Sequence, residues 1–286
     1  MLRGFKRSIG SLGIIGAGQM GTGVAIVAAY IGNLPVKVLY NSEASVERAK
    51  KDIASYIRRK SKDDVEKVLS KITYTKNLQE FNECDLMLEA IPENFSMKKN
   101  LIETVSPYLR DDCIFATNTS SLSVTKLAST YKIPENVVGI HFFIPVTDTA
   151  LLELVKALQT SETALEKGRE FATMIGKSFV ICRNCPAFIG NRLLLPYVNE
   201  AVYVLNEKIA TKEDIDNTMK LGTNVKLGPL KIADLIGIDT TYGVLENMYL
   251  GFSDSKYRPC PLLKEYLDAG WLGMKTGKGF YTYKSK

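Results

Sequence analysis

The sequence predicts an α/β protein in which a doubly wound, mostly parallel sheet is followed by an all-helical domain. In the first part of the chain, short apolar runs alternate with amphipathic helical patterns, and each run is continuous enough to be buried on both faces. From residue 188 to 255 the pattern is mostly helical, with Leu, Ile and Tyr recurring three or four positions apart. This change predicts a boundary near Cys185-Pro186, and hence domains at residues 1–185 and 186–286.

The elements follow one another in a regular order. A strand in "SLGII" leads through a glycine-rich turn into a helix that reaches Gly32. "VKVLY" (36–40) predicts a second strand, and the amphipathic stretch after it predicts a helix capped by Ser42. Helical patterns at 96–109 and 121–131 lie among further buried strands, and the glycine-rich, aromatic end suits an extended tail. Those further strands are "KITYT", "DLMLEAI", "CIFATN" and "VVGIHFF".

Composition excludes several classes of protein. The chain has 286 residues, 45% of them hydrophobic, and no apolar run reaches the roughly 18 residues of a membrane span. A net charge of +6 suits an anionic small ligand and is too weak and dispersed to indicate nucleic acid binding. An odd number of cysteines, five, argues against a disulfide framework and for a reducing compartment.

The chain also gives little reason to expect a metal site. Cys182 and Cys185 form a C-x-x-C pair, but there is no second pair, and His141 is the only histidine. We therefore expect two ordinary thiols rather than a metal or redox centre.

The basic segment "MLRGFKRS" has three positive charges and no acid. It indicates either a short mitochondrial presequence, and so the matrix, or a frayed terminus of a cytoplasmic protein. Both readings stay open.

A dinucleotide site is predicted by Gly16-Ala17-Gly18-Gln19-Met20-Gly21, which has the G-x-G-x-x-G pattern between a strand and a helix. In a Rossmann-type domain the first glycine permits the turn, the second lets a pyrophosphate approach, and the third lets the helix pack closely. The free N–H groups of the helix start then bind the pyrophosphate. The structural alternative is a glycine-rich turn that binds no ligand.

The ribose position distinguishes this chain from the usual pattern. An acid is expected about 20 residues after the glycines, at the end of the second strand, but Asn41 stands there. An amide can bond a ribose hydroxyl but does not repel a 2′-phosphate. Glu43 follows and no arginine is adjacent in sequence, so NAD is favoured and NADP is not excluded.

Beyond these residues, the sequence resembles the L-3-hydroxyacyl-CoA dehydrogenase family, of the 3-hydroxybutyryl-CoA dehydrogenase type, over nearly its whole length. "ATNTSSLSVTKLA", "GIHFFIPV", "PAFIGNRLL", "LGPLKIADLIG" and "DSKYRP" occur in the family's order and spacing. The resemblance implies NAD-linked oxidation of a 3-hydroxyacyl-CoA by a homodimer. The helical domain of such a protein forms the dimer contacts and closes the active site.

The resemblance also implies roles for particular residues. His141 would be the catalytic base and Glu153 the carboxylate paired with it, while Ser120 and Asn191 would contact the reacting oxygen or lie beside the base. Contacts to the cofactor would come from the glycine turn, Asn41 and four further residues. Those four are Glu93, Lys98, Ser120 and Lys275.

Two positions depart from the family pattern. The family usually reads H-F-F-N-P, with the asparagine helping to hold the nicotinamide, and Ile144 takes its place here. Asn41 is the other departure, while Ala187 and Gly190 are milder changes beside Asn191.

Each site residue has a structural alternative. His141 could be a satisfied core residue, Glu153 an edge residue facing water, and Ser120 only a helix N-cap. Asn191 has the same ambiguity at a helix start, and Lys98 and Lys275 could be solvated surface groups. "YIRRKSK" (56–62) could bind the phosphates of coenzyme A or form a solvated charged face.

Two other functions stay open at this stage. One is a dehydrogenase of the same build acting on a hydroxy acid without coenzyme A, as in the related gulonate dehydrogenase and lambda-crystallin group. The other is a nucleotide-binding structural or regulatory protein with little turnover, which Asn41 and Ile144 make conceivable.

Overall fold

The computed structural model describes residues 9–283, and these fall into two units, one ending at Cys185 and one beginning at Pro186. The basic segment at residues 1–8, considered above as a targeting signal, lies outside the described residues. Within residues 9–283, no helix is both long and apolar enough to cross a membrane.

The first unit contains one sheet of eight strands in the order β3-β2-β1-β4-β5-β6-β7-β8. All neighbouring strands are parallel except β6 and β7, which are antiparallel. Residues 143–150 join these two strands and are too few for the crossover that a parallel pair needs. The strands are β1 (Leu12–Ile15), β2 (Val36–Leu39), β3 (Ile72–Thr75), β4 (Leu86–Glu89), β5 (Ile114–Thr117), β6 (Val137–Phe142), β7 (Leu151–Lys156) and β8 (Ser178–Arg183).

Helices alternate with these strands. They are α1 (Gln19–Ile26), which continues into a π-helical turn (Val27–Ile31), α2 (Glu43–Lys60), α3 (Val65–Leu69), α4 (Phe95–Val105), α5 (Val124–Ala128) and α6 (Glu162–Met174). Short 3-10 turns lie at Lys62–Asp64, Leu78–Glu83, Ser106–Tyr108 and Pro134–Asn136. In α2, Ser42 accepts the N–H of Ser45, and the buried residues Val46, Ala49, Ile53 and Ile57 recur three or four apart.

One predicted helix is much shorter than its pattern. The pattern at 121–131 forms a helix only over α5, because Ser123 caps it by accepting the N–H of Lys126 at 3.2 Å. The interpretation of Ser120 as this helix's N-cap is therefore wrong.

The second unit is helical. Its helices are α7 (Gly190–Asn206), α8 (Lys212–Thr223), α9 (Pro229–Ile236), α10 (Ile238–Phe252) and α11 (Pro261–Asp268), with 3-10 turns at Ser255–Tyr257 and Met274–Thr276. Buried Asp234 on α9 accepts the N–H groups of Phe280 and Tyr281, at 2.9 Å each, which fastens the C-terminal tail to the helices. The predicted mostly parallel sheet followed by a helical domain is confirmed.

Candidate active site

The glycine turn between β1 and α1 has room for a ligand at its middle glycine. Gly16 has φ +110°, and a Cβ there would lie 2.8 Å from the carbonyl oxygen of Ala90. A Cβ at Gly21 would lie 1.9 Å from the carbonyl oxygen of Gly16. A Cβ at Gly18 would meet no protein atom within 4 Å. The fold thus requires the outer two glycines, while the free space at Gly18, beside Gln19 and Met20, fits an approaching pyrophosphate.

His141 and Glu153 form a buried pair across the antiparallel strands β6 and β7. The two residues are directly opposite in register, and His141 Nδ1 lies 2.6 Å from Glu153 Oε2. The side chains are only 4% and 1% exposed. Since an ionised carboxylate only accepts, Nδ1–H donates to it, and proton exchange with a substrate falls to Nε2. Burial rules out the alternative in which Glu153 is an edge residue facing water.

The loop that carries Ser120 is fixed to the strand of His141. Asn118, which follows β5, accepts the N–H of Phe142 through its Oδ1 at 3.0 Å. Ser120 lies two residues further on and is partly exposed. The loop that carries Ser120 is thereby bonded to the backbone of the residue that follows His141.

Glu93 also forms several hydrogen bonds with the loop that carries Ser120. Its Oε1 accepts the N–H groups of Ser120 at 2.9 Å and Ser121 at 2.8 Å, and the hydroxyl of Thr119 at 2.6 Å. Burial alone would raise the pKa of Glu93, but the charge of Lys98 and these hydrogen bonds outweigh it and lower the pKa below its ordinary value. Glu93 is therefore an ionised group that orders the Ser120 loop.

Lys98 on α4 is buried, 1% exposed, so the interpretation as a solvated surface group is wrong. Its ammonium donates to Glu89 Oε1 at 2.6 Å and to the carbonyl of Ile91 at 3.2 Å, and lies 3.5 Å from Glu93 Oε2. Glu89 is fully buried and also accepts the hydroxyl of Thr117 at 2.7 Å. Whether Lys98 also contacts a cofactor stays a prediction.

A cleft of about 250 Å³ lies between α1, α2 and the loop that follows β6. Ile144, 39% exposed, belongs to its wall together with the apolar side chains of Met20, Ile26 and Val146. The residue that replaces the family's asparagine thus contributes to an apolar surface. Polar and charged side chains of α2 also line the cleft, namely Asp52, Ser55, Tyr56 and Arg59.

The two remaining candidates belong to the second unit. Asn191 is the second residue of α7 and is half-buried. Lys275 donates to both carboxylate oxygens of Asp239, at 2.5 Å each. Their proposed roles toward substrate and cofactor stay predictions.

Sequence reasoning missed Asn118, Glu89 and Lys177, the last of which bonds the loop after β6. The available sequence signal for these residues was weak: Asn118 stands after an apolar run, and Glu89 stands within one.

The thiol of Cys182 has its pKa raised to about 12 by burial and by the charge of Glu153, so it is not a reactive thiolate at neutral pH. In the described part of the chain, no three His, Cys, Asp or Glu side chains are grouped as metal ligands.

Comparison with known proteins gives matches over nearly the whole chain. Residues 11–185 match the NAD-binding domain of 3-hydroxyacyl-CoA dehydrogenase, and residues 188–283 match the C-terminal domain of the same family. A 3-hydroxybutyryl-CoA dehydrogenase of Bradyrhizobium diazoefficiens is 41% identical over 285 residues, covering 96% of each chain. The mitochondrial hydroxyacyl-coenzyme A dehydrogenase of Sus scrofa is 37% identical, covering 95% of this chain and 90% of that protein.

A solved structure is also similar over nearly the whole chain. The crystal structure of (S)-3-hydroxybutyryl-CoA dehydrogenase from Ralstonia eutropha has a TM-score of 0.91 at 39% identity. The match covers 97% of this chain and all of that one. Bacterial and mitochondrial relatives both occur, which leaves both compartments suggested by the sequence in place.

Proposed function

Since the chain belongs to the 3-hydroxyacyl-CoA dehydrogenase family, we propose that it interconverts a short-chain L-3-hydroxyacyl-CoA and the 3-ketoacyl-CoA, with His141 as general base and acid. The observation that carries this proposal is the buried pair of His141 Nδ1 and Glu153 Oε2 at 2.6 Å. Relatives called 3-hydroxybutyryl-CoA dehydrogenase support a four-carbon acyl group.

The pair suits proton transfer at the C3 hydroxyl. Glu153 fixes the imidazole tautomer, so that Nε2 accepts the hydroxyl proton, and the carboxylate then stabilises the imidazolium that forms. In the reverse direction the imidazolium returns the proton to the ketone oxygen. Ser120, whose N–H donates to Glu93, is assigned the role of a donor to that oxygen, which a hydroxyl can fill without competing for the proton; the bond of Asn118 to Phe142 supports this assignment. Asn191 is assigned a similar donor role from the resemblance.

The NAD-binding domain supplies the other half of the reaction. Bound NAD would supply the acceptor for the hydride from C3. The free N–H groups at the start of α1 and the space at Gly18 would hold its pyrophosphate, and Asn41 would face the ribose. Glu93, Lys98 and Lys275 are assigned as further contacts from the resemblance.

The cleft beside α1 and α2 supports a place for the coenzyme A part of the substrate. Arg59, from the basic end of α2, lines it together with the loop of Ile144. A guanidinium there matches phosphate geometry, and the apolar wall suits the methylene groups of an extended thioester arm.

Turnover of acetoacetyl-CoA with NADH tests the proposal through two variants that act on different steps. His141→Gln should lower kcat by about 10² to 10⁴ fold, because proton transfer is lost, and should leave NADH binding nearly unchanged. Arg59→Gln should raise KM for acetoacetyl-CoA about tenfold with kcat nearly unchanged, because it removes binding that ground state and transition state share.

The neighbouring exposed Arg58 supplies the matched control, since Arg58→Gln removes the same charge from α2 outside the cleft. Undiminished turnover by His141→Gln would refute the assignment of the base. Faster turnover of free acetoacetate than of acetoacetyl-CoA would instead favour a dehydrogenase of a substrate without coenzyme A.

A further inference from the structure

A small charged cluster lies at the end of β2, next to the glycine turn. The turn is bonded to this strand, because the N–H of Gly16 donates to the carbonyl of Leu39 at 2.9 Å. Asn41, in the position that usually recognises the adenosine ribose, is exposed just beyond. Any group near Asn41 therefore faces the part of a dinucleotide that differs between NAD and NADP.

The cluster includes a lysine that is distant in sequence. Strands β2 and β3 are parallel with Leu39 opposite Thr75, so Lys76 emerges beside Tyr40. The Lys76 ammonium lies 4.8 Å from the centre of the Tyr40 ring. A cation from another strand thus lies beside the residue that precedes Asn41, although no Lys or Arg adjoins Asn41 in the sequence.

Glu43 forms an ion pair with this cation. Its Oε1 accepts from Lys76 Nζ at 3.2 Å and from the Tyr40 hydroxyl at 2.8 Å. The hydrogen bond from Tyr40, followed by that from Lys76, lowers the pKa of Glu43 despite its exposure. The carboxylate is therefore ionised at neutral pH and held in place over the start of α2.

The charges around Asn41 would act oppositely on the two cofactors. A 2′-phosphate carries close to two negative charges, which Lys76 and the positive end of α2 attract and Glu43 repels. A 2′-hydroxyl carries no charge and is affected little by either. Asn41 is neutral, so the local field comes from Glu43, from Lys76 and from Lys50, whose charge also acts on Glu43.

We propose that Glu43, by engaging Lys76 and repelling a 2′-phosphate, makes this chain selective for NAD in place of the acid that is missing at position 41. In the absence of the Glu43 charge, Lys76 is available to a 2′-phosphorylated dinucleotide. The proposal rests on the family's binding of a nicotinamide dinucleotide and not on the acyl substrate.

Titration of the full-length protein with NADH and with NADPH, followed by the fluorescence of the reduced cofactor, tests this without turnover. In Glu43→Gln, which keeps an oxygen for Tyr40, Kd for NADPH should fall about tenfold while Kd for NADH changes less than about threefold. The gain should shrink as salt is raised, because these side chains are exposed.

Two further variants make the result decisive. Glu43→Gln combined with Lys76→Gln should return NADPH binding to the weak level of the unaltered protein. Glu103→Gln removes an exposed carboxylate of α4, which lies 3.8 Å from Lys99, and should change neither Kd. An unchanged Kd for NADPH in Glu43→Gln, or a gain that survives in the double variant, would overturn the proposal.

Failure of this proposal is distinguishable from failure of the proposed reaction. Weak NADPH binding in every variant beside normal NADH binding would reject Glu43 as the determinant. Normal selectivity without turnover of acetoacetyl-CoA would reject only the substrate.

Discussion

At the scale of single residues, the site depends on carboxylates that would be costly to bury without partners. Glu153 bonds His141, Glu89 bonds Lys98, and Glu93 accepts two backbone N–H groups and hydroxyl groups of the Ser120 loop. Each is satisfied by specific donors, so removal of one partner leaves a desolvated polar group behind. These residues order the donors that the proposed reaction uses.

The lowered pKa of Glu93 predicts that stability depends on pH. A lowered folded-state pKa contributes stability that is fully present above the ordinary value of 4.5 and is lost as pH falls through the folded value. Glu93→Gln should be less stable at pH 7 by about 1.5–3 kcal/mol, and should lose less unfolding free energy than the unaltered protein between pH 6 and 3.5. Urea unfolding followed by far-UV circular dichroism measures both.

Glu103→Gln provides the control, because Glu103 is an exposed residue of α4, the helix that follows Glu93, and lies 3.8 Å from Lys99. It should leave the pH dependence of the unaltered protein in place. Equal acid slopes for Glu93→Gln and the unaltered protein would contradict the assignment.

At the scale of elements, the loop between β6 and β7 lines the cleft and is held by hydrogen bonds from side chains of other elements. Buried Lys177, immediately before β8, donates to the carbonyl of Val146 at 2.5 Å and to that of Thr149. The Tyr56 hydroxyl on α2 donates to the carbonyl of Thr147 at 3.4 Å. One ammonium thereby satisfies two carbonyls of an irregular segment, as buried backbone groups require.

Lys177→Met should loosen this loop, because its carbonyl groups lose their donor while most of the side-chain volume is kept. We expect faster amide hydrogen exchange within residues 143–149 and a rise of about tenfold in KM for acetoacetyl-CoA, with a smaller change in kcat. Lys167→Met on α6, which loses a bond at an exposed site, is the matched control. Unchanged exchange in residues 143–149 would show that Lys177 does not hold the loop.

At the scale of the whole molecule, the second unit has a packed core and also exposes large leucines. Leu221 on α8 is 84% exposed, Leu193 on α7 is 72% exposed and Leu250 on α10 is 68% exposed. Apolar side chains of this size on several helices favour an interface with another chain. The homodimer implied by the resemblance is therefore proposed to form through the second unit.

Light scattering coupled to gel filtration checks the dimer. The protein should elute with twice the mass of the 31.7 kDa chain, and Leu221→Asp should shift it toward the monomer, because a buried unpaired charge opposes association. Leu158→Asp, at an 89% exposed leucine of the first unit, should leave the mass unchanged. A monomeric unaltered protein, or dissociation only in Leu158→Asp, would exclude this interface.

The amino-acid sequence by itself determined the first six strands, the glycine turn and the candidate pair His141 and Glu153, but not the strands β7 and β8. These features depend on local periodicity, on residue spacing and on motifs that stay intact along the chain. The length of α5 was overestimated, because apolar spacing does not show which of several serines caps a helix.

Only the tertiary structure decided which distant side chains meet. The antiparallel return of β7 places Glu153 opposite His141, and the parallel pairing of β2 with β3 places Lys76 beside Glu43. The structure excluded the alternative in which Lys98 is a surface group, because Lys98 is buried and pairs with Glu89. Periodicity specifies which face of an element is buried, but strand order and register specify its neighbours, and the charges that govern this site come from neighbours.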